Sequence, residues 1–542
     1  MIGFHIDMNM AHYRSEYLRQ WLRDLARQGY DTILWEVESS VAWQTCPECA
    51  APDAFTKNQF KALLAECRLL GLEPIPLLQT IGHAEYVLRH EQYAHLRELP
   101  ERTDQYCPRN PDLLPFLHRW IEEYLALFGA VRYFHIGADE AMSLGRCQAC
   151  AAYAGEHSVA RLYVDHVNAV ARPLLKRGIT PVIWADMALG HREALDQLAR
   201  DIMLFDWRYD VYRGCGVVPV WERMHRRDGA VQAHASSLVR PAELTPEENA
   251  AFGACLFPGG QAEPDPFYTA DFLAAQGFKV VTCSSGSSYG DNVFSPRDRL
   301  HTANVLDSAR KGLGGRMHGT VVTSWSVHLF PWELQAAYLA APSFVKAGGA
   351  SLDAFRNDFA RERFGGQAED FWRACELLSG TCLFTYTSSL GFDKSCPEVP
   401  ANHAAATIER IRAEGRLQQE AQLCGARLAE YTEALELIKG LEASVRRGQE
   451  LLKFWKLAAR NLANRAEVSA YLLAHAENLI RGAALDAQDM QRARIHLARV
   501  RALRRDTDEL YAKMVRPHRR ALMIGYMFGA VEQALIALAS EK

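Results

Sequence analysis

Along residues 1–345, short apolar runs alternate with stretches whose apolar positions recur at helical spacing, the pattern of βα units around a parallel sheet. Residues 3–8 read as a strand, followed by a helix over 17–28 that stops at Gly29. A second strand is predicted at 32–37 and a helix over 60–70, ended by Gly71. Further strands are predicted at 74–78, 131–136, 181–185, 202–205, 279–282 and 320–324. Eight such units predict an α/β fold, a (β/α)8 TIM barrel, whose chemistry sits in the loops after the strand C-terminal ends. Past Ser343 the strand pattern fades and helix-period positions run over 401–438, 440–464, 466–481 and 486–511. The expected domains are a barrel over 1–345 and a C-terminal α-helical domain over 346–542, read as a scaffold packed on the barrel or a homodimer surface.

Composition narrows the partners more than the fold. The chain has 542 residues with 61 Lys and Arg against 65 Asp and Glu, for a formal charge of -4, and no long block of either sign. Neither nucleic acid nor a membrane surface is implied, and an uncharged polar ligand is the better expectation. No run of about 18 apolar residues stands out, so no membrane span is expected. The first residues read as a strand and not as a secretory leader, so a cytoplasmic location is expected, with secretion open if a leader has been removed. Thirteen scattered Cys do not suggest a disulfide framework, and reduced thiols are expected.

Polar and aromatic residues gather where the predicted strands stop: Asp7 and Asn9, Trp35, Glu36 and Glu38, Gln79, Thr80 and His83, then His135 to Glu140. Trp184 and Asp186, Asp206 to Tyr209, and Ser324-Trp325 follow on later strands. Several aromatic walls with several carboxylates suit a sugar, because rings stack on indole faces while carboxylates accept from hydroxyls. The most informative pair is Asp139-Glu140. Neighbouring residues in a strand point to opposite faces, so two adjacent carboxylates share a site only where the strand ends and the backbone turns, which Gly137 permits. Paired carboxylates raise each other's pKa, and one held protonated can act as a general acid toward a glycosidic oxygen. A helix N-terminal Asp-Glu pair favoured by the helix dipole is the plainer alternative.

His135-Ile-Gly-Ala-Asp139-Glu140 resembles the H-x-G-x-D-E signature of glycoside hydrolase family 20, the β-N-acetylhexosaminidases. The segments Phe4-His-Ile-Asp7, Pro74 through His83, and Tyr93-Ala-His-Leu-Arg97 resemble the hexosaminidase D-like branch, which lacks an extra N-terminal domain. The resemblance implies an exo-acting enzyme releasing terminal β-GlcNAc or β-GalNAc from an oligosaccharide or glycoconjugate, with retention and without a cofactor for catalysis. It implies Glu140 as general acid/base, Asp139 as the group orienting the 2-acetamido substituent, and Asp7 and His83 as hydrogen-bonding links toward Glu140. It implies Trp184, Trp207 and Trp325 as walls for the terminal sugar, together with His135 of the signature as a substrate-site residue. Tyr289 would hold the acetamido oxygen, with Tyr209 as competitor, and Asp291 would contact sugar hydroxyls. Two features depart from the family pattern: no Arg precedes the first strand, and the Trp-x-Glu of the eighth reads Trp325-Ser-Val327. Glu36, Glu38, Glu333 and His328 are the groups that could substitute.

Two further readings compete. A metal-dependent barrel hydrolase would use His5, Asp7, His83, His135 and Asp186 as ligands. A carbohydrate-binding barrel without turnover would not need both Asp139 and Glu140. Separately, Cys46-Pro-Glu-Cys49 and Cys147-Gln-Ala-Cys150 fall in loops after the second and fourth strands, and together could close a four-thiolate structural zinc site.

Overall fold

The computed structural model describes residues 1–221, 223, 238–366, 368–391 and 399–540. Eight parallel strands close a barrel: β1 Ile2–Asp7, β2 Thr32–Glu36, β3 Glu73–Leu77, β4 Tyr133–His135, β5 Thr180–Trp184, β6 Met203–Trp207, β7 Lys279–Ser287 and β8 Gly319–Ser324. They are neighbours in chain order, and β1 closes on β8 with Ile2 opposite Thr320. The period of two is visible in the packing. Leu34, Ile75, Val182, Phe205, Val281 and Val321 fill the barrel interior, whereas Phe4, Ile33, Ile183, Leu204, Val280 and Val322 face the surrounding helices.

Helices Ser15–Arg27, Lys57–Leu69, Leu113–Phe128 and Val159–Leu175 follow the first four strands. The second starts at a capping box in which Thr56 Oγ1 accepts from the Gln59 amide and Gln59 Oε1 from that of Thr56. The fifth connection departs from the predicted repeat. Only the short helix Asp186–Gly190 and a 3-10 turn over Arg192–Gln197 join β5 to β6, too short a connection for a full flanking helix. A two-stranded ribbon, Val218–Pro219 with Leu238–Val239, lies outside the barrel.

The region after the barrel is helical, with Leu417–Ser444, Gln449–Ala474 and Ala487–Tyr511 as its longest early members. The predicted first segment is broken at Gly415, which takes a left-handed φ of +70°, typical of glycine at helix ends. The helix Pro517–Ala539 is long and apolar enough to cross a membrane, contrary to the sequence expectation, but more than half of its most apolar window is buried inside the protein. Its Phe528 packs edge-on to Phe294, and Arg465 lies over both rings. The same helix brings Arg519, whose Nη2 donates to Ser39 Oγ and whose Nε meets His12 Nε2, against the loops after β1 and β2. The helical region thus braces the mouth of the barrel from outside.

Candidate active site

The turn after β4 is built around two glycines. Gly137 has φ +66°, and a Cβ there would lie 2.0 Å from Gln79 Oε1; a Cβ on Gly82 would lie 2.3 Å from the Asp139 carbonyl oxygen. The loops after β3 and β4 therefore touch backbone to backbone, which brings His83 over the carboxylates. His83 Nε2 lies 3.3 Å from Asp139 Oδ2 and 3.3 Å from Glu140 Oε2. The Asp139 side chain is 6% exposed and that of Glu140 26%, so one carboxylate is enclosed while the other opens to the mouth. Glu38, His83, Ala138 and Glu140 all take positive φ (36°, 53°, 74° and 44°), strain gathered around this one site. It is held by neighbours: Tyr163 Oη donates to the Ala138 carbonyl, Thr80 Oγ1 to that of Ile136, and the Glu140 amide to Asp186 Oδ2 at 3.0 Å.

Burial raises the Asp139 pKa to about 6; His83 opposes this, while the negative charges of Asp186 and Glu140 add to it. Asp186 is the site residue whose role the sequence did not reveal. Completely buried, it also accepts from Trp207 Nε1 at 3.2 Å, so one carboxylate positions both the Glu140 backbone and an indole wall. Its signal is present in Trp184-Ala-Asp186 at a strand end, where the sequence offers it only as one carboxylate of a sugar site or as a metal ligand.

The aromatic residues divide by depth. Trp207 and Trp325 are half-buried and pack on the top of the interior cluster, whereas Trp184 is completely buried within it, 5.9 Å from Trp325, and supports that ring from below. Tyr209 stacks on Trp207 at 4.9 Å and lies 6.4 Å from Trp325. Burial raises its pKa far above the ordinary phenol value, and the Asp139 charge adds to the effect. Tyr289, by contrast, is 66% exposed at the rim.

Several expected contacts are placed elsewhere. His135 is completely buried between Trp184 and Phe205, where Nδ1 accepts from the Gly137 amide; it fixes the turn from beneath and does not face the mouth. Burial drives its pKa well below the ordinary value. Asp291 spends its oxygens on Arg297 Nε, His301 Nε2 and the Ser288 amide; burial would raise its pKa, but the His301 and Arg297 contacts hold it well below the usual carboxylate range, so it anchors the β7 loop. Asp7 accepts from the Asn9 amide and from the amide and hydroxyl of Ser326, which ties the β1 and β8 loops beneath Trp325 instead of extending the His83 line. Glu36 is buried and receives His5 Nε2 and Gln79 Nε2, while Glu38 receives Asn9 Nδ2. Glu333 lies on the outer side of the barrel with Tyr17, so it does not replace the missing Glu of strand eight. His328 is buried near Asp291, with its pKa lowered by burial to about 4.

The five groups of the metal-hydrolase reading do not converge: His5 pairs with Glu36, His135 with the Gly137 amide, and Asp186 with Glu140 and Trp207. The cysteine expectation is also corrected. Cys46 and Cys49 form a disulfide with each other in a 3-10 turn, against the expectation of reduced thiols, and they do not join Cys147 and Cys150. The β3 loop lies between the two motifs in barrel order, and it is Cys107 from that loop that meets Cys147 and Cys150.

Residues 20–215 match the family model for the glycosyl hydrolase family 20 catalytic domain. Human hexosaminidase D is 29% identical over 240 residues, covering 40% of this chain and 49% of that protein. Hexosaminidase D of Bos taurus is 31% identical over 188 residues, covering 34% and 54%. The matched stretch thus spans about half the length of these relatives. Among solved structures, a β-N-acetylhexosaminidase from Bacteroides fragilis is similar with a TM-score of 0.44 at 13% identity, covering 63% of this chain and 65% of that one. With Asp139 and Glu140 inside the matched residues, the site lies in the part of the chain that is similar to the glycosyl hydrolase family 20 catalytic domain and to the two hexosaminidase D proteins.

Proposed function

We propose that the protein is an exo-acting β-N-acetylhexosaminidase that removes terminal β-GlcNAc or β-GalNAc from glycoconjugates with retention. The observation that carries this reading is the pair Asp139 and Glu140 at one His83 nitrogen, both 3.3 Å away, on a barrel whose interior cluster carries the half-buried Trp207 and Trp325. A protein nucleophile is not required in family 20, which is among the substrate-assisted exceptions to the two-carboxylate scheme. In the first step Glu140 gives its proton to the glycosidic oxygen, the C1–O bond breaks, and the substrate's acetamido oxygen bonds to C1. Asp139 as carboxylate accepts the acetamido N–H and balances the positive charge of the resulting oxazolinium ion. In the second step Glu140, now a carboxylate, takes a proton from water; the water oxygen bonds to C1 and the ring C–O bond to the acetamido oxygen breaks. The two displacements restore the starting configuration. Pre-orienting the acetamido group makes the attack intramolecular, an arrangement that supplies several kcal/mol (about 7–11 in the best cases).

In this scheme Tyr209, packed into the mouth, holds the acetamido oxygen, and rim-exposed Tyr289 meets the sugar or its aglycone. In this reading Glu38, which accepts from Asn9 Nδ2, takes the sugar hydroxyls. The test is hydrolysis of chromogenic β-GlcNAc, β-GalNAc and β-glucoside, each with and without chelator. Turnover confined to the acetamido sugars, with Asp139→Asn and Glu140→Gln both crippled, is expected. Equal turnover of the glucoside overturns the mechanism, and no turnover of any of the three overturns the activity.

A further inference from the structure

Behind the active-site turn, four side chains from two loops point at a common centre. Glu98 and Cys107 come from the long loop after β3, Cys147 caps the helix Gln148–Glu156 after β4, and Cys150 lies in that helix's first turn. The carboxylate oxygen and the three sulfurs all lie within 4.8 Å of one another. Cys107 Sγ is 3.5 Å from Cys147 Sγ and 3.6 Å from Cys150 Sγ. Tetrahedral zinc with Zn–S bonds of about 2.3 Å puts its sulfurs about 3.8 Å apart, so the spacing is that of a shared ion.

Three further observations support a ligand there. Glu98 is 1% exposed and Cys150 0%, with Cys107 buried and Cys147 half-buried, and a lone buried carboxylate is costly unless something pairs it. Glu98 Oε1 accepts from the Arg146 and Cys147 amides, whereas no nitrogen or oxygen donor reaches buried Oε2. The Cys150 amide donates to Cys147 Sγ at 3.3 Å, a bond a thiolate accepts better than a thiol.

We infer that Glu98, Cys107, Cys147 and Cys150 form a closed structural zinc site. Four protein ligands leave no open position for a reacting water, so the ion is a staple and not a catalyst. Binding releases the remaining thiol protons to solvent and forms three Zn–S bonds and one Zn–O bond, with no change of oxidation state. The staple joins the loop that carries His83 to the loop that carries Asp139 and Glu140. Around it, Gln105 Oε1 already receives the Ser143 amide, and the Tyr106 amide donates to the Ile81 carbonyl, so the ion would stiffen contacts that position the acid/base pair. That positional consequence rests on the hydrolase reading; the metal stoichiometry does not.

The test is elemental analysis of the full chain purified without chelator, with cobalt(II) replacing zinc as a spectroscopic probe. About one zinc per chain is expected, with a tetrahedral cobalt spectrum carrying thiolate charge-transfer bands. Cys107→Ser/Cys150→Ser should lose the metal, Glu98→Gln should release it to a competing chelator at least tenfold faster, and Cys46→Ser/Cys49→Ser should keep it. Chelation of the wild type should lower both the melting temperature and kcat, each restored by zinc. Metal-free wild type whose three thiols alkylate freely, a disulfide among Cys107, Cys147 and Cys150, or loss of zinc only on removing Cys46 and Cys49 would each overturn the site. Metal content is read on the wild type, so a poorly folding variant does not blunt the result. A zinc-loaded chain inactive on all three glycosides would sink the hydrolase reading while leaving the zinc site standing.

Discussion

Replacing Asp186 by Asn tests how the site holds its own strain. The Asp186 carboxylate accepts from the Glu140 amide at 3.0 Å and from Trp207 Nε1 at 3.2 Å. An Asn of the same shape keeps one acceptor oxygen and turns an N–H group toward the other donor. Hydrogen bonds to charged groups contribute about 1.5–3 kcal/mol against about 0.5–1.5 for neutral ones, so roughly 1–2 kcal/mol is lost. Glu140 sits at φ +44°, a conformation costing on the order of 1–2 kcal/mol, so its turn relaxes when that bond weakens. At 1.36 kcal/mol per decade, kcat should fall roughly 5- to 30-fold on an aryl β-GlcNAc. A second readout separates this from a general structural defect. Burial is the main reason the Asp139 pKa stands at about 6, but the Asp186 charge adds to it. Asp139 must be a carboxylate to bind the acetamido N–H, so activity should rise with pH through that value. Removing the Asp186 charge favours ionisation, and the acid limb of kcat/KM should move to lower pH. Stopped and continuous assays from about pH 4 to 8 measure both quantities. An Asp186→Asn protein with unchanged kcat and an unmoved acid limb would refute the assignment of Asp186 to this role.

Glu140→Gln should lower turnover of natural glycosides by about 10²- to 10⁴-fold and of activated aryl glycosides much less, because protonation matters most for a poor leaving group; equal losses on both would remove Glu140 as the acid. Gly137→Ala should cost about 2–4 kcal/mol in urea unfolding, since its φ is positive and its Cβ would displace Gln79 from Glu36; an unshifted midpoint would contradict the packing of the β3 and β4 loops. Glu333→Gln should stabilise the fold at and above neutral pH. Burial raises the Glu333 pKa from 4.5 to about 7, so between those values the folded chain binds more protons than the unfolded one and stability falls as pH rises; the variant should lose that slope in thermal melts at stepped pH.

The barrel was legible because each strand carries its own local signal, an apolar run bounded by turn residues, and the site's acid pair was legible because two carboxylates at a strand end after glycine need a turn. What is not legible depends on partners that only the folded loops bring together. Asp186 looked like one strand-end carboxylate among several, and only the folded turn shows it receiving the Glu140 amide. The family resemblance implies a sugar contact for Asp291, yet His301 and Arg297, 10 and 6 residues on, consume its oxygens. Glu333 follows strand eight closely, but the chain carries it to the outer face against Tyr17. The cysteine pairs misled for the same reason. C-x-x-C is a local pattern that identified Cys147 and Cys150, whereas Cys107 and Glu98 carry no spacing signal and join them only because the β3 loop folds back. The helix Pro517–Ala539 went unread because its apolar residues surround it on all sides, as suits a helix buried among others.

The most direct measurement is kcat for a series of aryl β-glucosaminides whose N-acyl group carries zero, one, two or three fluorines. Each fluorine weakens the carbonyl oxygen as a nucleophile without changing the leaving group or the protein. If the acetamido oxygen, oriented by Asp139, attacks C1, kcat must fall steeply and progressively along the series in the wild type. A flat series, with kcat independent of fluorination while hydrolysis still depends on Glu140, would show that the nucleophile is not the substrate's own.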